Sequence, residues 1–284
     1  MTTMNNVERI SYLFHESFSL SRPSIIKILR AIQGTSVDID FKSRNNRLKY
    51  FSDQTQLGSN YVKSMPEYCK GSGLIDFLYS VKLFGKFSIE NDPLLEASNT
   101  QWLMHYYLSG PNGPGPIFWH ELVKTYFRSG DLISAQEITE HIEQIYTQTE
   151  SKPLAPRSAR TTATIFLGTY TNSDGLGNLG ILEKLSDDSY RVMDPDPPST
   201  WVLAYALLHW WSTQFDKQVT SNLNDLYGDL GITSLFMISK GRLNSCLEEM
   251  QDEGIISLYR IAPPYQVALL RRDEGFILRK LYGV

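Results

Sequence analysis

Residues 59–76 read SNYVKSMPEYCKGSGLID, and residues 239–256 read SKGRLNSCLEEMQDEGII. The two stretches share one register, because apolar residues stand four, eight and eleven positions before the glycine that closes each segment. These residues are Cys69, Met65 and Val62 before Gly73, and Met250, Cys246 and Leu243 before Gly254. Such spacing forms one stripe of an α-helix, so the sequence predicts two amphipathic helices of the same kind.

The residues that flank these stripes predict the kind of structural unit that contains the two helices. Ser59 and Ser239 are suitable N-caps, and each closing glycine stops its helix before a short apolar stretch. A helix that runs into a hairpin is typical of a winged helix-turn-helix unit. We therefore predict an α+β fold, mainly α with small β-wings, in which tandem winged-helix units are joined by a helical middle region. Pro66 inside the first helix predicts either a later start than Ser59 or a bend.

Patterns outside the two helices predict four segments along the chain. They are an N-terminal winged-helix DNA-binding unit with its lead-in (1–90), a helical middle region (91–150), a helical and hairpin linker domain (151–215) and a C-terminal winged-helix unit (216–284). In the first segment, LYSVKLFGKFSI (78–89) is predicted to be the wing, a hairpin that turns near Phe84 and Gly85.

Composition excludes several classes of protein. The chain has 284 residues, of which 42% are hydrophobic and 20% are charged, so it can bury a sizeable core. The start carries no signal pattern, and no apolar run approaches the roughly 18–20 residues of a membrane span, which predicts a cytoplasmic protein. The only two cysteines fall on the two stripes, so no disulfide is expected. The five histidines are scattered, and their spacing predicts no zinc site.

The net charge of −4 hides an uneven distribution. Residues 22–86 carry 11 Lys and Arg against five Asp and Glu, whereas residues 87–284 carry 15 against 24. A basic N-terminal segment on an acidic body predicts one end that faces DNA. The alternative is a random fluctuation of composition.

The predicted DNA contacts lie on and before the first of the two helices. The polar face and the preceding cations supply Arg44, Arg47, Lys49, Asn60, Lys63, Ser64 and Lys70. The second helix begins with Lys240 and Arg242 but continues with four acidic residues, which phosphates would repel. We expect that unit to make dimer or partner contacts, with Arg271 and Arg272 as secondary DNA candidates.

Two clusters are candidates for phosphodiester chemistry. His15, Glu16 and Arg22 supply a base, a carboxylate and a phosphate-binding guanidinium within eight residues. Asp38, Asp40 and Lys42 contain the D-x-K core of many nucleases, but chance supplies about one such triplet in a chain of this composition, so they are the second choice. The alternative for His15 and Glu16 is that they only fix the lead-in against the first helix.

Four dispersed motifs resemble one known family. The lead-in FHESF with Arg22, and the segments LGSNYVKSMPEYCKGSGLI, DPLLEASNTQWLMHYYLS and DPDPPSTWVLAYALL, occur in the same order as motifs of a prokaryotic family found beside DNA phosphorothioation genes. The named member of that family is the SspB-type component of single-stranded phosphorothioation defence systems. One departure is Phe14, where the family usually has glycine before the His-Glu pair.

The resemblance implies a protein that nicks one strand of double-stranded DNA so that sulfur can enter the backbone. It implies as partners a P-loop ATPase, an ATP pyrophosphatase-like sulfur-transfer protein and a cysteine desulfurase. A homodimer is a further expectation, and Mg²⁺ or Mn²⁺ is the cofactor to test if the protein is a nickase; the residues alone identify no metal ligands. Two alternatives stay open, namely a non-catalytic DNA-binding adaptor or regulator, and a protein-interaction scaffold.

Overall fold

The structure is a computed structural model that describes residues 8–35, 39–214, 218–227 and 231–284. Its contacts divide the chain into two compact units, Met1–Pro195 and Asp196–Val284. Both are mainly helical, and each contains one small three-stranded antiparallel sheet. The α+β class is therefore confirmed, while the division into four segments stays a prediction.

Eight helices of the described residues build the first unit around a core of aromatic side chains. They are α1 (Arg22–Gln33), α2 (Arg44–Thr55), α3 (Tyr61–Gly71), α4 (Leu83–Asn91), α5 (Ser98–Ser109), α6 (Ile117–Tyr126), α7 (Ala135–Glu150) and α8 (Pro156–Thr171). The strands are β1 (Leu132–Ser134), β2 (Leu182–Lys184) and β3 (Ser189–Val192), in the order β1-β3-β2. The β2–β3 hairpin matches the one that the sequence predicts in the linker segment.

The second unit alternates helices and strands. Its helices are α9 (Thr200–Gln214), α10 (Leu223–Tyr227), α11 (Ile232–Leu235), α12 (Lys240–Asp252) and α13 (Glu274–Tyr282). Its strands are β4 (Thr220–Asn222), β5 (Ile256–Tyr259) and β6 (Gln266–Leu269), in the order β4-β6-β5. Helix α12 packs on β5 and on α9, which places its apolar stripe in the core of this unit.

Both predicted amphipathic helices are present, as α3 and α12, and their stripes are buried. Ser239 caps α12, because its hydroxyl accepts a hydrogen bond from the Arg242 amide at 3.0 Å. Ser59 does not cap α3, whose N-cap is Asn60, so that detail of the prediction is wrong. Pro66 lies inside α3, where its ring is buried.

The predicted wing at residues 78–89 is wrong. This segment completes a tight loop over residues 76–80 and then enters α4. Gly85 explains the difference, because a Cβ at this position would lie 2.2 Å from the Leu74 carbonyl oxygen. The glycine that resembles a turn signal instead allows a helix to pack against the backbone that follows α3.

Candidate nucleic-acid interface

A cavity of about 510 Å³ lies in the first unit between α2, α3 and the 76–80 loop. We call it the cation–aromatic cavity. Its lining consists of residues 39–42, Arg47, Lys70 and residues 77–79. Two groups of candidate residues that the sequence analysis keeps apart thus meet here, since Asp40 and Lys42 belong to the D-x-K cluster and Arg47 and Lys70 to the predicted DNA contacts.

Among the described residues, three cations and one carboxylate line this cavity. Lys42 and Asp40 are exposed, Arg47 is half-buried, and Lys70 is only 7% exposed. Asp40 accepts a hydrogen bond from the Lys42 amide at 3.0 Å, which shapes the short turn that leads into α2. Arg47 donates to the Phe41 carbonyl at 2.8 Å, so its guanidinium is held near the cavity wall.

Lys70 contradicts the surface position that the sequence predicts for it. Its Nζ donates to the Glu67 carboxylate at 2.8 Å and to the Tyr79 hydroxyl at 2.9 Å. A buried ammonium needs such partners because its desolvation is costly. Lys70 therefore links α3 to the 76–80 loop in addition to lining the cavity.

Aromatic rings line the cation–aromatic cavity directly beside the cations. Lys70 Nζ lies 5.7 Å from the centroid of the Phe77 ring and 4.2 Å from that of the Tyr79 ring. The Arg47 guanidinium lies 5.1 Å from the Tyr79 centroid. Phe41 and Tyr79 stack with ring centroids 5.3 Å apart and planes 20° apart. Tyr79 has a left-handed backbone, with φ of 66°, and the Asp76 carboxylate holds the loop by accepting from the amides of residues 78 and 80 at 2.8 Å. Burial raises the pKa of the Tyr79 hydroxyl, which keeps it a neutral hydrogen-bonding group. Phe77 is half-buried and Leu78 is 69% exposed.

His15 and Arg22 of the first-choice cluster are embedded in the fold. His15 is buried, with Nε2 3.0 Å from the Thr162 hydroxyl, and burial lowers its pKa to about 4. Arg22 donates through its guanidinium to the carbonyls of Gly175 (2.8 Å), Leu95 (3.0 Å) and Ser173. These contacts favour the alternative that the lead-in is fixed in place, because they occupy the groups that chemistry would need.

The other first-unit candidates are distributed over α2, α3 and the lead-in. Glu16 pairs with Lys63 at 3.6 Å, and both side chains are about one-third exposed. Lys63 also approaches the Asn60 side chain at 3.3 Å. Arg44 and Lys49 are exposed on α2, whereas Ser64 is buried and bonded to the Asn60 carbonyl, which contradicts its predicted place on the polar face. Asp38 lies outside the described residues.

The second-unit candidates are held by local contacts. Arg242 lies 3.9 Å from Glu249, and Lys240 lies over the Tyr227 ring at 5.8 Å. Arg271 lies over the Phe276 ring at 4.0 Å, and Arg272 donates to the Gln218 carbonyl at 2.9 Å. These two arginines follow β6 and lie at the start of the segment that leads into α13.

Sequence reasoning missed the aromatic members of the cation–aromatic cavity. Phe41 stands between Asp40 and Lys42, and Phe77 and Tyr79 flank Leu78 just beyond the glycine that closes the first stripe. Aromatic residues interleaved with cations were the available signal. The predicted wing at residues 78–89 includes Tyr79 and hides this signal.

The described residues contain no group of three His, Cys, Asp or Glu side chains placed to hold a metal ion. Among the described residues that line the cation–aromatic cavity, Asp40 is the one carboxylate, and it is accompanied by three cations. This donor set does not fit Mg²⁺, which prefers carboxylate and other oxygen ligands. In the same part of the chain, no helix combines the length and apolarity that a membrane crossing requires.

The model of one protein family, described as "Protein of unknown function (DUF4007)", matches residues 12–280. The chain belongs to this family. No curated protein matches the sequence. Two crystal structures of SspB are similar over nearly the whole chain at 14% sequence identity. The first, which is magnesium ion-bound, has a TM-score of 0.75 and covers 100% of this chain and 91% of its own. The second has a TM-score of 0.72 and covers 99% and 91%. This DUF4007 chain therefore has an SspB-like fold.

Proposed function

We propose that this DUF4007 protein is a DNA-binding component of a prokaryotic phosphorothioation defence system and that it nicks one DNA strand. The SspB-like fold over the whole chain and the family motifs support the assignment to such a system. The observation that carries DNA binding is the convergence of Lys42, Arg47 and Lys70 on one cavity. The resemblance supplies the expected partners, a P-loop ATPase, a sulfur-transfer protein and a cysteine desulfurase.

DNA binding by the first unit is supported by the charges around the cation–aromatic cavity. Arg44 and Lys49 are exposed on the same helix as Arg47, so α2 carries cations beyond those that line the cavity. Lysine and arginine side chains bind phosphates and release the counterions of DNA, which makes the affinity dependent on salt. We expect α2 to follow the DNA backbone and the cavity to receive the part of the DNA that is recognised or cut.

For the chemistry, Asp40 and Lys42 now precede His15, Glu16 and Arg22 as candidates. An exposed carboxylate can take a proton from an attacking water, and neighbouring cations stabilise the charge that develops on phosphorus. Asp40 and Lys42 are exposed and lie beside Arg47, whereas His15 and Arg22 are embedded. The described residues do not offer a magnesium ligand set, so we assign no step to a metal ion.

For the second unit we propose a winged-helix role in contacts with proteins. Its strand order β4-β6-β5, with α12 before the β5–β6 hairpin, fits that architecture. The acidic residues of α12 disfavour phosphate, and two of them form pairs, Glu248 with Arg260 at 2.8 Å and Glu249 with Arg242. A second copy of the chain or another phosphorothioation protein is the expected partner.

The test is to measure plasmid nicking and DNA affinity side by side. Wild-type protein should convert supercoiled plasmid to the open circle in buffer with Mg²⁺ or Mn²⁺. The double variant Lys42→Gln/Arg47→Gln should lose about tenfold or more in affinity and show a shallower dependence on salt. Arg157→Gln/Arg160→Gln on α8, outside the cavity, removes the same charge from exposed positions and is the control. Equal losses in the two double variants would contradict this assignment.

A non-catalytic adaptor is the second candidate, because His15 and Arg22 have structural partners. Asp40→Asn separates the two functions when the rate of nicking is measured at saturating DNA, since a group that acts in catalysis lowers that rate whatever its effect on affinity. Salt-dependent DNA binding without nicking under either metal would favour the adaptor.

A further inference from the structure

The cation–aromatic cavity is concave, and its lining contains both charged and aromatic side chains. Both properties limit which part of a DNA molecule it can bind. Its volume of about 510 Å³ lies within the range typical of small-molecule sites. A DNA duplex is about 20 Å across and contacts proteins through its grooves and backbone, whereas a single nucleotide that has left the base stack fits a pocket of this size. A lining that contains both aromatic rings and cations matches a base and its phosphate.

We propose that this cavity binds one unpaired nucleotide of a DNA strand, with the base against Phe77 and Leu78 and the phosphate near Lys42 and Arg47. The inference rests on the proposed function, and it names the part of the DNA that the site takes. Phe77 is the ring chosen for stacking because it is only half-buried, whereas Tyr79 is buried and stacked on Phe41. Leu78, 69% exposed at the rim, covers the edge of a base that stacks there.

Asp40 distinguishes a nucleotide from a bare phosphate. A carboxylate in a site for phosphate alone would repel its ligand, whereas a carboxylate beside a base accepts hydrogen bonds from the N–H groups of the base. Asp40 lines the cavity together with the cations and is exposed. An unpaired base offers all of its N–H groups, whereas a paired base offers only those that its base pair leaves free in the grooves.

The charge balance favours DNA over a free nucleotide. Lys70 is neutralised by Glu67 at 2.8 Å, and Asp40 offsets one of the two other cations, Lys42 and Arg47. Over the described lining residues one positive charge is left over, which matches the single negative charge of a phosphodiester. The phosphate of a free mononucleotide carries about −1.5 to −2 at neutral pH, as phosphomonoesters do, and is matched less well.

The cavity is also built in advance of any ligand. Tyr79 keeps its left-handed backbone because its hydroxyl is bonded to Lys70 and because Asp76 ties the loop on both sides of it. A fixed loop loses little conformational entropy on binding, so stacking on Phe77 contributes to affinity without a large cost of ordering.

The experiment compares two DNA duplexes by fluorescence anisotropy. One is fully paired, and the other is identical except for one extra unpaired nucleotide at its centre. Wild-type protein should bind the second about tenfold more tightly, as one base stacked on an aromatic ring predicts. Phe77→Ala and Phe77→Leu should both reduce this preference to less than about threefold. Leu132→Ala, a change at an exposed apolar position outside the cavity, should leave the preference intact.

Three results would overturn the proposal. They are equal affinity of wild-type protein for the two duplexes, a preference that persists in Phe77→Ala, and competition by free deoxynucleoside monophosphate at concentrations near those of the oligonucleotide. The last would assign the cavity to a free nucleotide instead. Failure of the proposed function looks different, because the protein would then bind neither duplex in a salt-dependent manner.

Discussion

Lys70 joins α3 to the 76–80 loop through one ammonium group. Glu67 lies three residues before Lys70 in the chain, and Tyr79 lies nine residues after it. The contact therefore fixes the loop relative to the helix. The position was predicted to be at the surface because only helical spacing was available. A lysine at the end of an amphipathic helix is usually solvated, and the Glu67 and Tyr79 contacts that bury this one depend on where the loop folds.

Removing this ammonium should destabilise the protein. Lys70→Met leaves the Glu67 carboxylate partly buried without its cation, so we expect the free energy of unfolding to fall by about 2 kcal/mol. Urea denaturation followed by circular dichroism measures it. Lys63→Met is the matched control on the same helix, because its pair with Glu16 is one-third exposed and should contribute less than about 0.5 kcal/mol. A loss at Lys63 as large as that at Lys70 would contradict the structural role.

His15 predicts how stability depends on pH. Its folded-state pKa is about 4 because of burial, below the ordinary value of 6.5. Between these values the unfolded chain binds the proton and the folded protein does not. His15 therefore lowers the free energy of unfolding as pH falls from 6.5 to 4, and its effect is absent above that window.

Comparison with a variant isolates this contribution from that of other groups. His15→Gln does not titrate, so its free energy of unfolding should fall less steeply with acidification than that of the wild type. The difference in slope should accumulate to roughly 3 kcal/mol across the window, at about 1.36 kcal/mol per unit of pKa difference. Denaturant titrations at several pH values measure it. Identical pH profiles would show that His15 is solvated in the folded protein.

At the scale of elements, the local sequence pattern predicts the two amphipathic helices correctly but predicts a wing that is not there at residues 78–89. The stripes of α3 and α12 could be predicted because a buried helix face repeats every three to four residues. The segment at 78–89 could not, because Gly85 in a sequence is equally consistent with a turn and with close packing. Only the approach of the Leu74 carbonyl decides between them.

Gly85 gives a direct test of the packing of α4. Gly85→Ala would place a methyl group 2.2 Å from the Leu74 carbonyl oxygen, so the helix must move. We expect the free energy of unfolding to fall by about 2 kcal/mol, within the range for overpacked positions. Gly58→Ala is the control, since a Cβ there meets nothing within 4 Å. Thermal unfolding of the two variants should differ clearly, and equal melting temperatures would count against the described position of α4.

At the scale of the whole molecule, the candidate site is assembled from residues that lie far apart in the sequence. The cation–aromatic cavity combines residues 39–47 with Lys70 and residues 77–79. The sequence shows directly that this region is basic. The spacing of residues along the chain, however, cannot predict that the turn before α2 and the loop after α3 line the same cavity. The catalytic and DNA-binding roles of these residues stay predictions, and the family motifs give the chain its context without placing its site.

The hydrogen bonds of Arg22 have a consequence for the rate at which the protein unfolds. They join the start of α1 to carbonyls 73 and 153 residues further along the chain. Contacts that close such long loops are costly to form early, so we expect them to be absent from the transition state for folding. Arg22→Lys should then accelerate unfolding about tenfold and change refolding by less than about twofold in stopped-flow experiments. Arg47→Lys disturbs a hydrogen bond that spans only six residues, and its effect on unfolding should be much smaller. Arg22 would in that case determine how long a folded molecule persists more than how readily one forms.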